Sequence, residues 1–220
     1  MDSREQRRRR IPKENVRDLI LEAARELFFA KGYEAVTMRA VAEKIGYSPT
    51  AIYLHFKDKE ALCYALCDRE WLAFGQIFAG LLELDDPVER LRRAGRAYIE
   101  FGMNYPNHYR WLFMTPRPDP SPETSEIAKG DPRQDAYAFL RETVAECIAR
   151  HRFCPEYQDV DYAAQLLWAG VHGIVALHLA RLDIGMSGWI DWVAPARLQE
   201  GMEDLLLSPL LTAPNAASGD

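Results

Sequence analysis

Residues 37–56 read TMRAVAEKIGYSPTAIYLHF, and this stretch decides how the rest of the chain is interpreted. Apolar residues recur at helical spacing on both sides of Gly46 and Tyr47, which predicts two short helices joined by a tight turn. Thr37 and Ser48 stand where the helices begin, and both residue types favour the N-cap position. Two helices of this length and separation are typical of a helix-turn-helix, whose second helix enters the major groove of DNA.

The side chains of this stretch divide into an apolar set and a polar set. The apolar set is spaced to pack against a preceding helix: Met38, Val41, Ala42, Ile45, Ile52 and Phe56. The polar set comprises Arg39, Ser48, Thr50, Tyr53 and His55, followed by Lys57 and Lys59. Short polar side chains allow a backbone to approach base edges, and cations contact phosphates. A plain helical hairpin with a solvated polar face fits the same pattern, so the spacing alone leaves both interpretations open.

The composition is that of an ordinary globular protein. The chain has 220 residues, of which 48% are hydrophobic and 27% charged, which excludes a disordered chain, a collagen-like repeat and a disulfide scaffold. Its four cysteines form no CxxC pair, and no apolar signal-peptide core follows the charged N-terminus. The longest apolar stretch, residues 166–180, is expected to be too short to span a bilayer. We therefore expect a cytoplasmic protein without a membrane partner.

Charge is distributed unevenly along the chain. Residues 1–65 carry 13 Lys and Arg against 10 Asp and Glu, whereas residues 66–220 carry 14 against 23. A weakly positive N-terminal part on an acidic remainder indicates that only the former faces a polyanion. Residues 1–12 hold five arginines and are predicted to form a basic flexible arm. Such an arm either stays solvated or lies in the minor groove of DNA, where negative potential attracts arginine.

The rest of the sequence predicts an all-α fold of about nine helices. After the arm, residues 13–60 are expected to form a three-helix DNA-binding domain, and residues 61–207 a second helical domain, for which the resemblance described below implies ligand binding and dimerisation. Residues 208–220 are expected to be a disordered tail. The last two helices, predicted over residues 161–182 and 189–207, are apolar on more than one face and must be buried. Pairing them with a second copy in a four-helix bundle would bury them.

Aromatic side chains are dense in the second predicted domain. A ligand site there would select a small, mainly apolar or aromatic molecule. The candidate ligand-binding residues are Phe74, Phe78, Phe101, Tyr105, Phe113, Trp168 and His172. An aromatic core without a ligand fits the same residues, and a structural role for His172 is as consistent with its position.

The order of several motifs resembles the DNA-binding domain of the TetR family. The matching segments are residues 24–28 (ARELF), 31–33 (KGY), 37–42 (TMRAVA), 45–48 (IGYS) and 52–62 (IYLHFKDKEAL). Farther along, residues 105–113 (YPNHYRWLF) and 168–173 (WAGVHG) are similar to a subgroup whose ligand-binding domain carries a Trp-His-Gly signature.

The resemblance implies a homodimeric transcriptional regulator, usually a repressor that leaves its DNA when a small-molecule effector binds. Its partners would be double-stranded DNA with a palindromic operator, the effector and a second copy joined through the last two helices. By position in the motif, Thr37 would contact phosphate and Arg39 phosphate or base. Ser48, Pro49 and Thr50 would lie at base edges, and Tyr53, His55 and Lys59 on the DNA backbone. Pro49 departs from the small residue that is commoner there, which leaves the bases that are read open.

Three other classes of function predict different features in the sequence. Cys63 and Cys67, one helical turn apart, would suit a thiol- or metal-responsive DNA-binding regulator. In a helical interaction module that does not bind DNA, the polar set would have no DNA to contact. An enzyme would need a Glu-x-x-His pair, GxSxG, a phosphate loop or HExxH, and the sequence has none. We therefore expect no catalytic activity, no cofactor and no resident metal.

Overall fold

The computed structural model of the protein describes residues 13–118, 125–184, 188, 190–202, 205 and 207–212. Within these ranges the chain is all-α, as predicted, and its β-structure is limited to an isolated bridge between Phe153 and Leu211. The predicted basic arm, residues 1–12, and residues 213–220 of the predicted tail lie outside the described residues.

Nine α-helices occur in the described residues, which agrees with the predicted number. They are α1 Lys13–Lys31, α2 Met38–Ile45, α3 Pro49–Tyr53, α4 Lys59–Ala79, α5 Pro87–Asn104, α6 Pro106–Phe113, α7 Ala136–Ala149, α8 Val160–Ile184 and α9 Pro195–Met202. Short 3-10 segments cover Gly80–Glu83, Pro155–Tyr157 and Ser208–Leu210.

Six of the described helices begin at a residue whose side chain accepts hydrogen bonds from the first turn. The acceptors are Thr37, Ser48, Asp58, Asp86, Asp135 and Asp159, each bonded to amides two or three residues ahead. The first turn of a helix leaves its amides unpaired, and a side-chain oxygen at the N-cap satisfies them. The local sequence therefore sets where α2, α3, α4, α5, α7 and α8 begin.

The chain divides into two compact units. The first contains residues 1–70 and 110–126, and the second contains residues 71–109 and 127–220. The predicted boundary after residue 60 falls earlier in α4 than this division does. Helix α4 is continuous from Lys59 to Ala79 and therefore has residues in both units.

The core of the first unit is formed where α1 meets α2 and α3. Buried side chains of α1 lie on one face at helical spacing, at Ile20, Leu21, Ala24 and Phe28. They are joined by the predicted apolar set of the helix-turn-helix, of which Met38, Val41, Ala42, Ile52 and Phe56 are buried. The ring of Trp111 stacks on Phe28 with centroids 5.4 Å apart. This packing leaves the polar side of α2 and α3 facing outward.

The core of the second unit lies between α5, α7 and α8. Val144 of α7 and Val175 of α8 are fully buried there, and Ile99 of α5 is 1% exposed. Gly102 marks a close approach, because a Cβ atom placed on it would lie 2.3 Å from Cγ1 of Val175. Helices α5 and α8 can therefore come this close only because residue 102 has no side chain.

The start of the long final helix predicted over residues 189–207 is wrong. Helix α9 begins only at Pro195 and runs to Met202, and residues 191–194 have no regular structure. Proline lacks an amide hydrogen and is tolerated in the first turn of a helix but not in its interior. Pro195 therefore starts a short helix instead of lying inside a long one.

The predicted disordered tail is also wrong for its first residues. Ser208–Leu210 form a 3-10 turn, and Leu210 is 1% exposed. The amide of Cys154 donates to the carbonyl of Leu210 at 2.7 Å, and that of Thr212 donates to Arg152 at 2.9 Å. Leu207 and Leu210 belong to the apolar core of the second unit, which explains why this segment is packed.

Helix α8 is longer than the apolar stretch in its sequence. Val160–Asp183 spans 24 residues and is long and apolar enough to cross a bilayer by length and composition alone. The expectation that residues 166–180 are too short concerns only the apolar part of this helix, and a single helix of this kind is weak evidence for a membrane span. The core helix of a soluble protein passes the same test, and Ala163, Ala164 and Val175 of α8 are fully buried in the second unit.

Candidate functional site

The turn between α2 and α3 has the geometry that its sequence predicts. Gly46 adopts a left-handed conformation, with φ of 73°, and ends α2. Its amide and that of Tyr47 both donate back into the last turn of α2, the latter to Ala42 at 3.0 Å. Because left-handed backbone is unstrained only for glycine, Gly46 fixes the angle at which α3 leaves α2.

Helix α3 is shorter than predicted but continues in helical conformation. It ends at Tyr53 instead of near Phe56. Leu54 keeps helical backbone angles, with φ of −70° and ψ of −19°. The amides of His55 and Phe56 both donate to the carbonyl of Ile52, which closes the chain in a tight turn before α4.

Most of the polar residues predicted to contact DNA lie at the surface of the first unit. Ile52 of α3 is fully buried, whereas Pro49 and Thr50 are exposed and Tyr53 is 52% exposed. Ser48, Thr37 and Arg39 are exposed as well, and His55 is partly buried. The structure thus brings the predicted set to the surface around a single buried anchor.

Thr37 and Ser48 each hold a helix end in place. The Thr37 hydroxyl oxygen accepts from the amide of Ala40 at 3.1 Å, and that of Ser48 accepts from the amide of Ala51 at 3.3 Å. A hydroxyl that accepts in this way retains its own hydrogen for donation. Both residues can therefore cap a helix and donate to a phosphate oxygen at the same time.

Arg39 and Lys59 already have partners within the first unit. The Nε of Arg39 lies 2.8 Å from a carboxylate oxygen of Glu43, one turn along α2. The ammonium of Lys59 lies 4.1 Å from the centre of the Tyr33 ring and 3.4 Å from the carbonyl oxygen of Glu34. Lys59 therefore fixes the loop before α2 onto the start of α4. Lys57 is 81% exposed, with Asp58 3.9 Å away, and is about as accessible as Arg39, which is 79% exposed.

Several of the predicted ligand-binding residues form an aromatic cluster in the second unit. The ring of Phe74 lies 5.0 Å from both Phe78 and Phe101, and 5.7 Å from Tyr98. Phe74 and Phe78 are buried, whereas Tyr105, whose ring is 5.8 Å from Phe101, is 56% exposed. Phe113 belongs to the first unit.

Next to the aromatic cluster lies a tyrosine–histidine network, formed by Tyr98, Tyr109, Trp168 and His172. The hydroxyl of Tyr109 is 2.6 Å from Nδ1 of His172 and 3.1 Å from the hydroxyl of Tyr98. The Tyr98 hydroxyl is also 3.2 Å from Nδ1 of His172 and accepts from the indole nitrogen of Trp168 at 3.2 Å. Helices α5, α6 and α8 are thereby linked through polar atoms within an aromatic surrounding.

Burial keeps this network uncharged at neutral pH. It raises the pKa of Tyr98 to about 12 and raises that of Tyr109 further. It lowers the pKa of His172 below its ordinary value of 6.5. Transfer of a charged group out of water is unfavourable, so all three side chains favour their neutral forms. A ligand contacting the network would meet hydrogen-bonding groups and not a fixed charge.

Tyr98, Tyr109 and Leu54 were not predicted as site residues. Tyr98 and Tyr109 are separated from His172 by 74 and 63 positions, so no sequence spacing brings them together. Leu54 is 76% exposed beside the polar set. The exposure of Leu54 could have been predicted from the sequence. Leu54 lies one turn after Thr50 in a helix anchored by Ile52, so it cannot reach the core that Ile52 enters.

Cys63 and Cys67 lie on the first turns of α4 and are both 0% exposed. Their mutual hydrogen bond and burial raise the pKa of the Cys63 thiol. The same bond and Arg117, a cation that the sequence spacing does not reveal, lower that of Cys67 against the effect of burial. Among the described residues, no three His, Cys, Asp or Glu side chains converge as a metal site would require. Thiol or metal sensing stays an untested alternative.

An exposed polar helix-turn-helix on one helical unit, followed by a second, larger helical unit, defines a two-domain DNA-binding protein. Comparison with known proteins identifies the class further. Residues 20–66 match the family described as bacterial regulatory proteins, tetR family, and residues 91–189 match the tetracyclin repressor-like C-terminal domain.

Individual relatives with similar sequences are described as transcriptional regulators as well. The chain is 40% identical over 199 residues to the HTH-type transcriptional repressor AcnR of Corynebacterium efficiens, a match that covers 87% of this chain and 89% of that one. It is 33% identical to the HTH-type transcriptional activator FasR of Mycolicibacterium smegmatis, covering 47% of this chain and only 48% of FasR. The fatty acid degradation regulator FadR of Bacillus halodurans has the same fold, with a TM-score of 0.65 at 19% identity, over 88% of this chain and 98% of FadR.

The chain therefore belongs to the TetR family of bacterial transcriptional regulators, which are soluble DNA-binding proteins with a helix-turn-helix. Membership favours DNA binding over a helical interaction module that has lost it. The Trp-His-Gly subgroup is not among the matched descriptions and stays a prediction.

Proposed function

We propose that this protein is a cytoplasmic homodimeric repressor. It binds a palindromic operator and leaves it when a small, largely apolar or aromatic effector binds the second unit. One observation carries the proposal: α3 presents Pro49, Thr50 and Tyr53 to solvent while Ile52 anchors the helix from the opposite side. A helix held in this way can enter the major groove without losing its packing.

The proposed DNA contacts divide into base contacts and phosphate contacts. Ser48, Pro49 and Thr50, at the beginning of α3, would lie at base edges. Thr37, through the hydroxyl hydrogen left free by capping, and Tyr53 would donate to phosphates. Fixed helix ends keep these donors in place before DNA binds, which lowers the entropy lost on binding.

The proposed roles of the charged and titratable residues depend in part on the partners that these residues already have. Arg39 would reach a phosphate or a base by exchanging Glu43 for DNA. His55 would lie on the DNA backbone. Lys59 would act in part by holding the loop before α2, while Lys57 offers an exposed ammonium for the phosphates. Such phosphate contacts give affinity without sequence specificity and weaken as salt rises.

Repression is favoured over activation by the relative that covers most of the chain. AcnR of C. efficiens is described as a repressor, whereas FasR, matched over about half its length, is described as an activator. The same DNA-binding unit serves both outcomes, so the proposal of repression depends on the longer match.

The proposed effector site is the aromatic cluster together with the tyrosine–histidine network. Phe74, Phe78 and Phe101 supply apolar surface, and Trp168 and His172 lie beside them with uncharged polar atoms. Sites for small organic molecules combine such surfaces with a few polar groups that set orientation. The effector's effect would pass along α4, because this continuous helix contributes to both units.

The proposed dimer interface lies on α8 and α9. Tyr162, Leu166 and Leu177 are exposed at 56, 37 and 60%, and they share a stripe of α8 with Gly173. A Cβ atom on Gly173 would have no neighbour within 4 Å, so the stripe is open on this side. A two-fold pairing of this stripe with a second copy would cover it and place two copies of α3 about one turn of DNA apart.

Selection of bound sequences from a random duplex pool, with the purified full chain, tests the proposal. A palindrome with half-site centres roughly 34–36 Å apart is the expected result. The selected duplex then serves to screen small neutral aromatic compounds for release of DNA. Enrichment without any motif would overturn the proposal, because phosphate contacts alone would then account for binding. Repeating the binding at several salt concentrations separates the two kinds of contact.

A further inference from the structure

Leu54 is an apolar side chain left in water at the centre of a polar surface. It is 76% exposed, more than any other large apolar residue that the structure describes in the first unit. Its backbone angles are helical, so it extends α3 by one position. Nothing in the packing of this unit explains a leucine here, since Ile52 and Phe56 already anchor the segment.

The position of Leu54 on the helix relates it to Thr50. Residues four apart in a helix lie on the same face, and Thr50 and Leu54 are so related. Both point away from Ile52, which is fully buried. With a rise of 1.5 Å per residue, Leu54 lies about 6 Å farther along the axis than Thr50.

The surroundings of Leu54 identify the kind of surface that would cover it. Residues 44–57 contain no Asp or Glu, and they include His55 and Lys57, whose side chain is 81% exposed, whereas Lys44 is paired with Glu26 at 2.7 Å. A single leucine in such a segment is unsuited to an apolar protein partner, which would need a contiguous patch. The segment is complementary to a polyanion. In the major groove, the apolar group available to a leucine is the C5-methyl group of thymine.

We propose that Leu54 is a specificity-determining residue that contacts the methyl group of one thymine in each half-site. This inference rests on the proposed DNA binding. Since base pairs are spaced by 3.4 Å, an axial distance of about 6 Å places this thymine within about two base pairs of the base nearest Thr50. The inference adds a residue that reads DNA without a hydrogen bond.

The experiment uses the operator obtained by selection and replaces each thymine in turn by deoxyuridine, which lacks only the methyl group. At one symmetric position the wild type is expected to lose about fourfold in affinity per half-site, the value of one buried methyl group. Leu54→Ala is expected to lose a similar factor on the unmodified operator and to show no further loss with deoxyuridine there. Leu54→Met, which keeps an apolar contact, should retain the sensitivity.

Tyr53→Phe is the matched control, because it changes the neighbouring exposed residue and removes only a hydroxyl. It is expected to weaken binding to all duplexes by a common factor and to keep the deoxyuridine effect. Thermal unfolding of Leu54→Ala should match the wild type, since the side chain is exposed.

Two results would overturn the inference about Leu54 and leave the proposed function intact. One is specific binding in which no deoxyuridine position affects the wild type. The other is a Leu54→Ala variant as sensitive to deoxyuridine as the wild type. Failure of the proposed function is distinguishable, because it appears earlier as selection without a motif.

Discussion

The protonation of the His172 imidazole depends on its burial and on its hydrogen-bond partners. Nδ1 lies within hydrogen-bonding distance of the hydroxyls of both Tyr98 and Tyr109. A neutral imidazole can accept at Nδ1, whereas a protonated one carries hydrogen on both ring nitrogens and can only donate. Protonation would therefore force the hydroxyls to exchange donor and acceptor roles, in addition to placing a charge in a partly buried site.

This arrangement predicts a loss of stability in mild acid. Because burial lowers the pKa of His172 in the folded chain, the unfolded chain binds this proton more readily. The stability from neutral His172 is present above about pH 6.5, the ordinary pKa, and is lost as pH falls below it. Urea unfolding between pH 7.5 and 5 should therefore show a smaller decrease for His172→Asn than for the wild type.

His151→Asn is the control for that measurement. His151 is exposed and has a positive φ of 53°, which asparagine also tolerates. It lies outside the tyrosine–histidine network, so its variant should follow the wild-type pH dependence. A free-energy difference between wild type and His172→Asn that stayed constant over this pH range would contradict the account.

At the scale of single residues, the sequence could predict which side chains share a helix but not which helices meet. Trp168 and His172 are one turn apart on α8, and their rings lie 6.5 Å apart. Their tyrosine partners come from α5 and α6, whose packing against α8 depends on long-range contacts. Phe113 illustrates the same limit, because the chain passes from the second unit to the first within α6.

At the scale of helices, local chemistry predicted starts and ends well where a cap or a glycine marks them. The bounds of α2 agree with expectation because the residues next to its ends, Thr37 and Gly46, determine where it starts and stops. The prediction for α9 was wrong because apolar composition was given more weight than Pro195. The prediction of a disordered tail was wrong at Leu210 because this residue packs in a core formed by residues far away in sequence. The residues next to Leu210 do not reveal that contact.

Helix packing in the second unit predicts a cost for a side chain at Gly102. In Gly102→Ala the new methyl group would meet Val175 at 2.3 and 2.9 Å and the Tyr109 ring at 3.1 Å. Overpacking of a buried site costs about 1–3 kcal/mol, so unfolding should require correspondingly less denaturant. The shift of Val175 or Tyr109 should also disturb the tyrosine–histidine network, which near-ultraviolet circular dichroism would detect.

Gly80→Ala is the matched variant for this comparison. Gly80 begins the 3-10 segment after α4, and a Cβ atom there would have no neighbour within 4 Å. Its substitution should leave stability unchanged or raise it by about 0.4–1 kcal/mol, because alanine has less freedom when unfolded. Equal stability of the two variants would show that α5 and α8 are not held as closely as described.

At the scale of the whole molecule, α8 has two apolar sides, and the described residues cover only one of them. Val171, Val175 and Leu179 face the core of the second unit and are buried. On the other side, the stripe of Tyr162, Leu166, Gly173 and Leu177 is exposed or open. Apolar surface of this extent in a soluble regulator favours a second copy as the cover, since a two-fold interface uses the same patch from both subunits.

Leu177→Glu is predicted to break this dimer and, with it, binding to the full operator. A two-fold axis introduces the substitution twice, so each interface loses two leucines and gains two like charges. We expect the dimer dissociation constant, measured by analytical ultracentrifugation, to rise at least tenfold. Binding to a duplex with both half-sites should fall, whereas binding to a single half-site should not, because α3 is unchanged. Leu54→Ala alters an exposed leucine of the first unit and should stay dimeric. If Leu177→Glu also stayed dimeric at nanomolar concentration, the subunits would have to meet through another surface, and the spacing of the half-sites would no longer follow from α8.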